Sequence, residues 1–214
     1  MIDIPIDLLF DYAGTHSSPE PDILRQVRRE TYQKVLQPRM LSGPLQGRLL
    51  SMLSKISKPK RILELGTFTG YATLCLAEGL APEGQIITID KNEELVDLQN
   101  KYFEKSGKRQ QIKQYVGDAL TIIPELEGPF DLVFIDADKK NTHEYFNQCL
   151  QKVPSGGLIL TDNVLWSGKV MQSIEPGDIE TEVLHSFNEK IANHPEVETV
   201  LLPLRDGLTI SRKR

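Results

Sequence analysis

Cysteine is nearly absent: Cys75 and Cys149 are the only two in 214 residues. Each sits in a stretch with helical periodicity, so neither a disulfide framework nor a zinc cluster is available, and both thiols are expected to pack. Long apolar runs are missing as well. None approaches the ~18 residues that a membrane-spanning helix needs, and the opening Met1-Ile2-Asp3-Ile4-Pro5-Ile6-Asp7 is acidic where a secretion signal is basic. The expectation is a soluble, cytoplasmic protein with no membrane partner. Basic charge is not in excess either. The 25 Lys and Arg are outnumbered by 30 Asp and Glu, a formal net charge of -5, whereas a sequence-independent grip on phosphate backbones needs clustered cations. Nucleic acid is therefore not an expected partner. Repeats, low-complexity segments and Ser/Gly linkers are also lacking, which argues for one domain over 1–214, with 1–55 as a helical cover and 56–214 as an α/β core.

What is present is an alternation of short strand-like runs with longer helix-like ones, the pattern of a parallel sheet covered on both faces. Strands are predicted at 61–65, 85–90, 112–116, 130–136 and 157–162, and helices at 71–81, 93–106 and 141–152. Gly and Pro close these helices, as in Pro82-Glu83-Gly84 and Pro154-Ser155-Gly156-Gly157. Earlier helices are expected at about 21–36 and 43–55. A helix over 178–194 precedes two last strands, 197–202 and 208–212, close enough to form a hairpin. The fold class is a doubly wound, mostly parallel seven-stranded sheet, Rossmann-like, with a C-terminal antiparallel hairpin.

The strand Ile62-Leu63-Glu64-Leu65-Gly66 runs into the loop Gly66-Thr67-Phe68-Thr69-Gly70. A nicotinamide fingerprint needs G-x-G-x-x-G, and the middle glycine that lets backbone meet pyrophosphate is missing here. A cofactor without phosphates needs instead a close-approach turn and acids for a cationic group and for ribose hydroxyls, which Glu64 and Asp90 offer at two successive strand ends. Taken alone, Gly66 and Gly70 only make a strand-to-helix turn; taken with Glu64 and Asp90, they favour a cofactor site.

Asp136, in Ile135-Asp136-Ala137-Asp138-Lys139, and Asp162-Asn163, in Leu160-Thr161-Asp162-Asn163, end two further strands. Either aspartate alone reads as a helix cap or a solvated turn. Together they bring two carboxylates and an amide oxygen to the edge where such sheets bind ligands, a donor set that selects Mg²⁺, Ca²⁺ or Mn²⁺ over zinc. Lys139 stands beside them as a candidate base, or else as the solvated start of a helix.

These segments resemble the cation-dependent O-methyltransferases that use S-adenosylmethionine, the catechol and caffeoyl-CoA O-methyltransferases among them. The resemblance runs through Thr15-His16-Ser17-Ser18-Pro19-Glu20, Met40-Leu41-Ser42, Leu63 to Tyr71, Ile135 to Lys139 and Thr161 to Gly168. It implies that Asp136, Asp162 and Asn163 bind the metal. It further implies that Glu64, Gly66, Thr67, Phe68 and Ala72 surround the methionine part of the cofactor, with Asp90 on its ribose, Met40 and Ser42 in the same pocket, and Asp118 and Ala119 near the adenine. Asp136 and Asp138 match cofactor-contacting positions, and Lys139 matches the family's base. A homodimer is implied as well.

The implied reaction is in-line attack by an oxygen of a phenolic, catechol-like acceptor on the sulfonium methyl. Lys139 receives the phenol proton, which requires its pKa to lie below the usual ~10.4. Two positions depart from the family pattern. Ala72 stands where relatives often carry a serine, and Arg205, in Pro203-Leu204-Arg205-Asp206-Gly207, stands where a small residue is expected. Arg205 is either an exposed turn charge or a contact for an acidic substrate or a partner subunit. Trp166 either stacks on the acceptor or packs at the sheet edge. His16 belongs to a segment expected near the pocket; His143, His185 and His194 are expected on helix surfaces. Arg25-Gln26-Val27-Arg28-Arg29-Glu30 reads as a solvated helix face, with a substrate-phosphate contact as the alternative. Two other classes stay open, a nicotinamide-dependent reductase and a silent cofactor-binding module.

Overall fold

A computed structural model describes residues 5–214; the reading of Met1 to Ile4 as part of an acidic start lies outside the described residues. Seven strands form one sheet: β1 (Arg61–Leu65), β2 (Gln85–Asp90), β3 (Ile112–Val116), β4 (Leu132–Ile135), β5 (Leu158–Asp162), β6 (Val197–Leu202) and β7 (Leu208–Lys213). Their order is β3-β2-β1-β4-β5-β7-β6. The first five are parallel, while β7 runs antiparallel to both β5 and β6. Central strands of such a sheet are covered on both faces and so read as unbroken apolar runs. β4 illustrates this, with Leu132, Val133, Phe134 and Ile135 all buried.

The described residues form eight α-helices, α1 (Ile6–Thr15), α2 (Asp22–Lys34), α3 (Gly43–Ser57), α4 (Tyr71–Ala77), α5 (Val96–Lys105), α6 (Ala119–Glu125), α7 (Thr142–Lys152) and α8 (Ile179–Ala192), of which α2 to α8 cover the sheet. Alternation along the strands sorts them into two layers. Ile62, Ile86, Phe134 and Leu160 meet Leu24 of α2, Leu50 of α3, Leu76 of α4 and Phe103 of α5. Leu63, Leu65, Val133 and Ile159 meet Ile123 of α6, Phe146 of α7 and Phe187 of α8. Cys75 and Cys149 are buried free thiols, one in each layer. No helix among the described residues is long and apolar enough to cross a membrane.

The structure departs from the expected elements in a few places. α4 stops at Ala77 rather than 81; two residues further on, a Cβ on Gly79 would fall 2.1 Å from the carbonyl carbon of Ser54, so only glycine lets the chain pass α3 there. The stretch expected as one helix over 93–106 is a 3₁₀ turn, Glu93–Leu95, followed by α5. Two helices were not anticipated. α1 buries none of its residues, and α6 is a seven-residue helix that contains Pro124 and is started by Asp118, whose Oδ1 accepts from the N–H of Leu120 at 3.0 Å.

Candidate active site

Strand order reverses between β1 and β4, because β2 and β3 lie on one side of β1 while β4 and β5 continue on the other. A crevice opens at such a point. Gly66 leaves β1 there. Its N–H donates to the carbonyl of Ile89 at 2.8 Å, and the N–H of Asp136 donates to the carbonyl of Leu65 at 2.8 Å. A Cβ on Gly66 would fall 1.9 Å from the Asp136 carbonyl oxygen, and its φ is +97°, so no other residue fits this close approach. Phe68 is left-handed as well, φ +47°, a conformation that costs a side chain roughly 1–2 kcal/mol. Asp90 holds it there: its Oδ2 accepts from the Phe68 N–H at 2.7 Å, and its Oδ1 from the N–H of Asn92 at 2.9 Å.

The crevice is lined by Met40, Ser42, Gly66, Thr67, Phe68, Ala72 and Asp136, together with Leu41 and Tyr71. All but the last two were singled out in the sequence. The Tyr71 hydroxyl donates to Glu20 Oε2 at 2.7 Å, while Glu20 Oε1 accepts from Arg28 Nε and Nη2 at 2.9 and 2.5 Å. The start of α2 thus braces one crevice wall, and Arg28 of the basic stretch is engaged in that brace.

Glu64 lies apart from the lining. It shares its strand face with Ile62, turned into the layer of α2 to α5, and is fully buried. Its Oε2 accepts from the hydroxyls of Thr73 and Thr88 at 2.5 and 2.6 Å, and its Oε1 has no partner. Burial, then the nearby charges of Asp136 and Asp90, push its pKa up to about 8, against the pull of the two threonines. Asp118, Ala119 and Asp138 also lie outside the crevice lining. Lys91, which the sequence reading passed over although it follows Asp90 directly, joins the two acids: its Nζ lies 3.4 Å from Asp118 Oδ2 and 3.6 Å from Asp138 Oδ2. Asp138 in turn accepts from the Tyr145 hydroxyl at 2.5 Å and from Asn141 Nδ2 at 2.7 Å.

Parallel pairing of Ile135 with Thr161 brings the next residues, Asp136 and Asp162, side by side. Asp136 Oδ1 accepts from Lys139 Nζ at 3.1 Å, and the lysine side chain is only 12% exposed. Asp162 is buried, with Oδ1 accepting from the N–H of Asn163 at 2.8 Å and Oδ2 from Gln46 Nε2 at 2.6 Å. Burial first, and then the charge of Asp136, drive the Asp162 pKa well above the carboxylate range, against the pull of Gln46 and Lys139. Lys139 thus contacts Asp136 directly, and its charge also acts on Asp162. Among the described residues no group of three or more His, Cys, Asp and Glu gathers as a metal cluster. The Asp136, Asp162 and Asn163 corner is an all-oxygen set whose excess negative charge fits a hard divalent cation.

The chain after Asn163 is unusual. Asn163, Trp166, Ser167 and Gly168 all have positive φ, at 62°, 49°, 53° and 79°. The β6–β7 turn clasps this loop: the N–H of Leu165 donates to the Asp206 carbonyl at 2.8 Å, that of Val164 to the Gly207 carbonyl at 3.2 Å, and that of Ser167 to the Asp206 carboxylate. Trp166 is half-buried. His16 stays at the end of α1, stacked on Tyr12 with ring centroids 4.0 Å apart.

The sequence profile described as O-methyltransferase matches residues 14–214. Caffeoyl-CoA O-methyltransferase of Populus kitakamiensis is 33% identical over 213 residues, covering 94% of this chain and 88% of its own. Tricin synthase 2 of Oryza sativa subsp. japonica is 36% identical over 186 residues; that match takes in 81% of this chain and 63% of the rice protein's length. The crystal structure of the O-methyltransferase from Bacillus cereus, in complex with SAH, superposes with a TM-score of 0.88 at 29% identity, covering 97% of each chain.

Proposed function

The chain belongs to the O-methyltransferase family, and from that premise we propose that it moves a methyl group from S-adenosylmethionine to one hydroxyl of a vicinal-dihydroxy aromatic acceptor. Asp136, Asp162 and Asn163 hold a divalent cation, Mg²⁺, Ca²⁺ or Mn²⁺, and Lys139 is the base. The observation that carries this reading is the pairing of buried Asp162 with Asp136, which Lys139 contacts, at the edge of a crevice lined by Gly66 and Asp136. The SAH complex of the Bacillus cereus relative supports the donor. The name of the Populus relative supports the acceptor class, since a caffeoyl ring carries adjacent hydroxyls.

Each residue then has a task. Met40, Ser42, Thr67, Phe68 and Ala72 surround the methionine and sulfonium end of the donor, while the glycine at 66 lets backbone approach it. Asp90, already fixed by the Phe68 amide, takes the ribose hydroxyls with its remaining lone pairs. Asp118, Ala119 and Asp138 flank the adenine side. Glu64, turned inward, supports the loop from behind and leaves a single buried acceptor oxygen for a donor group. Asp136, Asp162 and Asn163 would hold a cation whose charge would lower the pKa of an acceptor hydroxyl, as it does for bound water. Lys139 receives the phenol proton while the oxygen attacks the methyl, and the thioether leaves. Holding both partners in line supplies roughly 7–11 kcal/mol of the barrier reduction. A homodimer fits α1, where Ile6, Leu8, Leu9 and Tyr12 are all exposed.

The test is methyl transfer to a panel of catechols, followed by mass spectrometry, with Mg²⁺ and with excess EDTA. Monomethylated product in the first arm only, restored when Mg²⁺ is added back, is the expected result. Equal product in both arms removes the cation from the scheme, and no product from any vicinal diol removes the acceptor class.

A further inference from the structure

Arg205 occupies a backbone position suited to glycine. Its φ is +51°, a conformation that costs a side-chain-bearing residue about 1–2 kcal/mol, which explains why a small residue is expected at this turn. Strain of this kind persists where surrounding structure enforces it, and it clusters at ligand sites. Here the strained residue and Asp206 after it are both tied to the candidate active site. Arg205 Nη2 donates to the carbonyl of Arg39 at 3.2 Å, and the next residue, Met40, lines the crevice. Asp206 reaches the other way, holding the amides of Leu165 and Ser167 on either side of Trp166. The turn therefore bridges the donor crevice and the loop that starts at Asn163.

Its cation is otherwise unused. A guanidinium has five N–H donors, and among the described residues a single hydrogen bond engages that of Arg205. Arg25, Arg28 and Arg48 each meet a carboxylate, but neither Arg205 nor Arg39 does among the described residues. Two exposed arginines thus stand without acids at the rim between donor crevice and acceptor loop, in a chain of net charge -5.

We propose that Arg205 is a specificity residue of the methyl-acceptor site, reading a carboxylate on the acceptor's tail, with Arg39 as a second cation on the same rim. The proposal rests on the O-methylation reading above and narrows its acceptor class from any vicinal diol to carboxylate-bearing ones. The guanidinium fork matches a carboxylate through two parallel N–H donors, which a neutral ester cannot exploit equally.

The test compares 3,4-dihydroxycinnamic acid with its methyl ester in the wild type, Arg205→Gly and Arg205→Lys, by steady-state kinetics. Isothermal titration of each compound, with Mg²⁺ present, needs no turnover. The expected wild type favours the acid. In Arg205→Gly the acid loses about tenfold more than the ester, in KM and Kd rather than kcat, as loss of one charge-assisted contact implies. Arg205→Lys recovers part of the difference. Because glycine relieves the backbone, the variant should melt no lower than the wild type, which keeps the comparison free of misfolding. An unchanged acid-to-ester ratio in Arg205→Gly overturns the proposal. Should the wild type methylate neither these two compounds nor any other vicinal diol, the acceptor class proposed above fails by itself, while the two Kd values still decide on Arg205.

Discussion

Gln46, in α3, donates from Nε2 to Oδ2 of Asp162, at the end of β5, across 2.6 Å of space and 116 residues of sequence. The helical cover thereby sets the orientation of a carboxylate at the proposed cation corner. Gln46 Oε1 has no partner of its own, so the side chain is held by this one bond. Gln46→Leu leaves a buried acceptor unpaired, a loss worth about 1–3 kcal/mol, and removal of the orphaned amide oxygen places the expected value at the lower end. Urea denaturation measures it, and titration with Mg²⁺ should show weaker cation binding. Identical midpoints and identical Mg²⁺ affinity would mean that the bond does nothing.

Lys139→Met should separate binding from chemistry. The lysine is not among the residues lining the donor crevice, so the Kd for S-adenosylmethionine is expected to stay within twofold, while kcat falls by roughly 10²–10⁴ through loss of a general base. Retention of wild-type kcat would assign proton removal elsewhere.

Glu64 makes stability depend on pH with a defined sign. Its folded pKa is about 8, above the ordinary carboxylate value near 4.3. Between roughly those limits the folded protein keeps a proton that the unfolded chain releases, so unfolding free energy falls as pH rises through the window and levels off above it. Glu64→Gln should flatten that decline in urea titrations at pH 5 and pH 8. A wild-type slope left intact by the substitution would show that another group produces it.

At Gly66 the cost is steric. Gly66→Ala must separate a Cβ from a carbonyl oxygen that it would meet at 1.9 Å and must hold φ at +97°; left-handed strain alone is worth about 1–3 kcal/mol. A drop in stability of at least that size, with loss of detectable S-adenosylmethionine binding by calorimetry, is expected. Normal binding in Gly66→Ala would show that the two strand ends can part without harm.

Much of the scaffold was legible in the chain itself. The runs at 61–65, 85–90, 112–116 and 197–202 are strands with those bounds, because apolar period and Gly or Pro punctuation are local signals. The hairpin tail and the strand ends that carry Gly66, Asp136 and Asp162 were legible for the same reason. α1 was not, since it buries nothing, and neither was α6, a single short helix with a proline in it. Glu64 shows the sharper limit. Its place on β1 was plain, but the side to which it points depends on which layer packs over Thr73 and Thr88. The reach of Gln46 to Asp162, the sharing of Lys91 by Asp118 and Asp138, and the hold of Arg205 on the Arg39 carbonyl are contacts between segments far apart in sequence. No local pattern encodes them. Composition and periodicity determined a doubly wound sheet with acids at its strand ends, and only packing decided which of those acids face the crevice and which are enclosed, because burial and neighbouring charge exist only once the layers close.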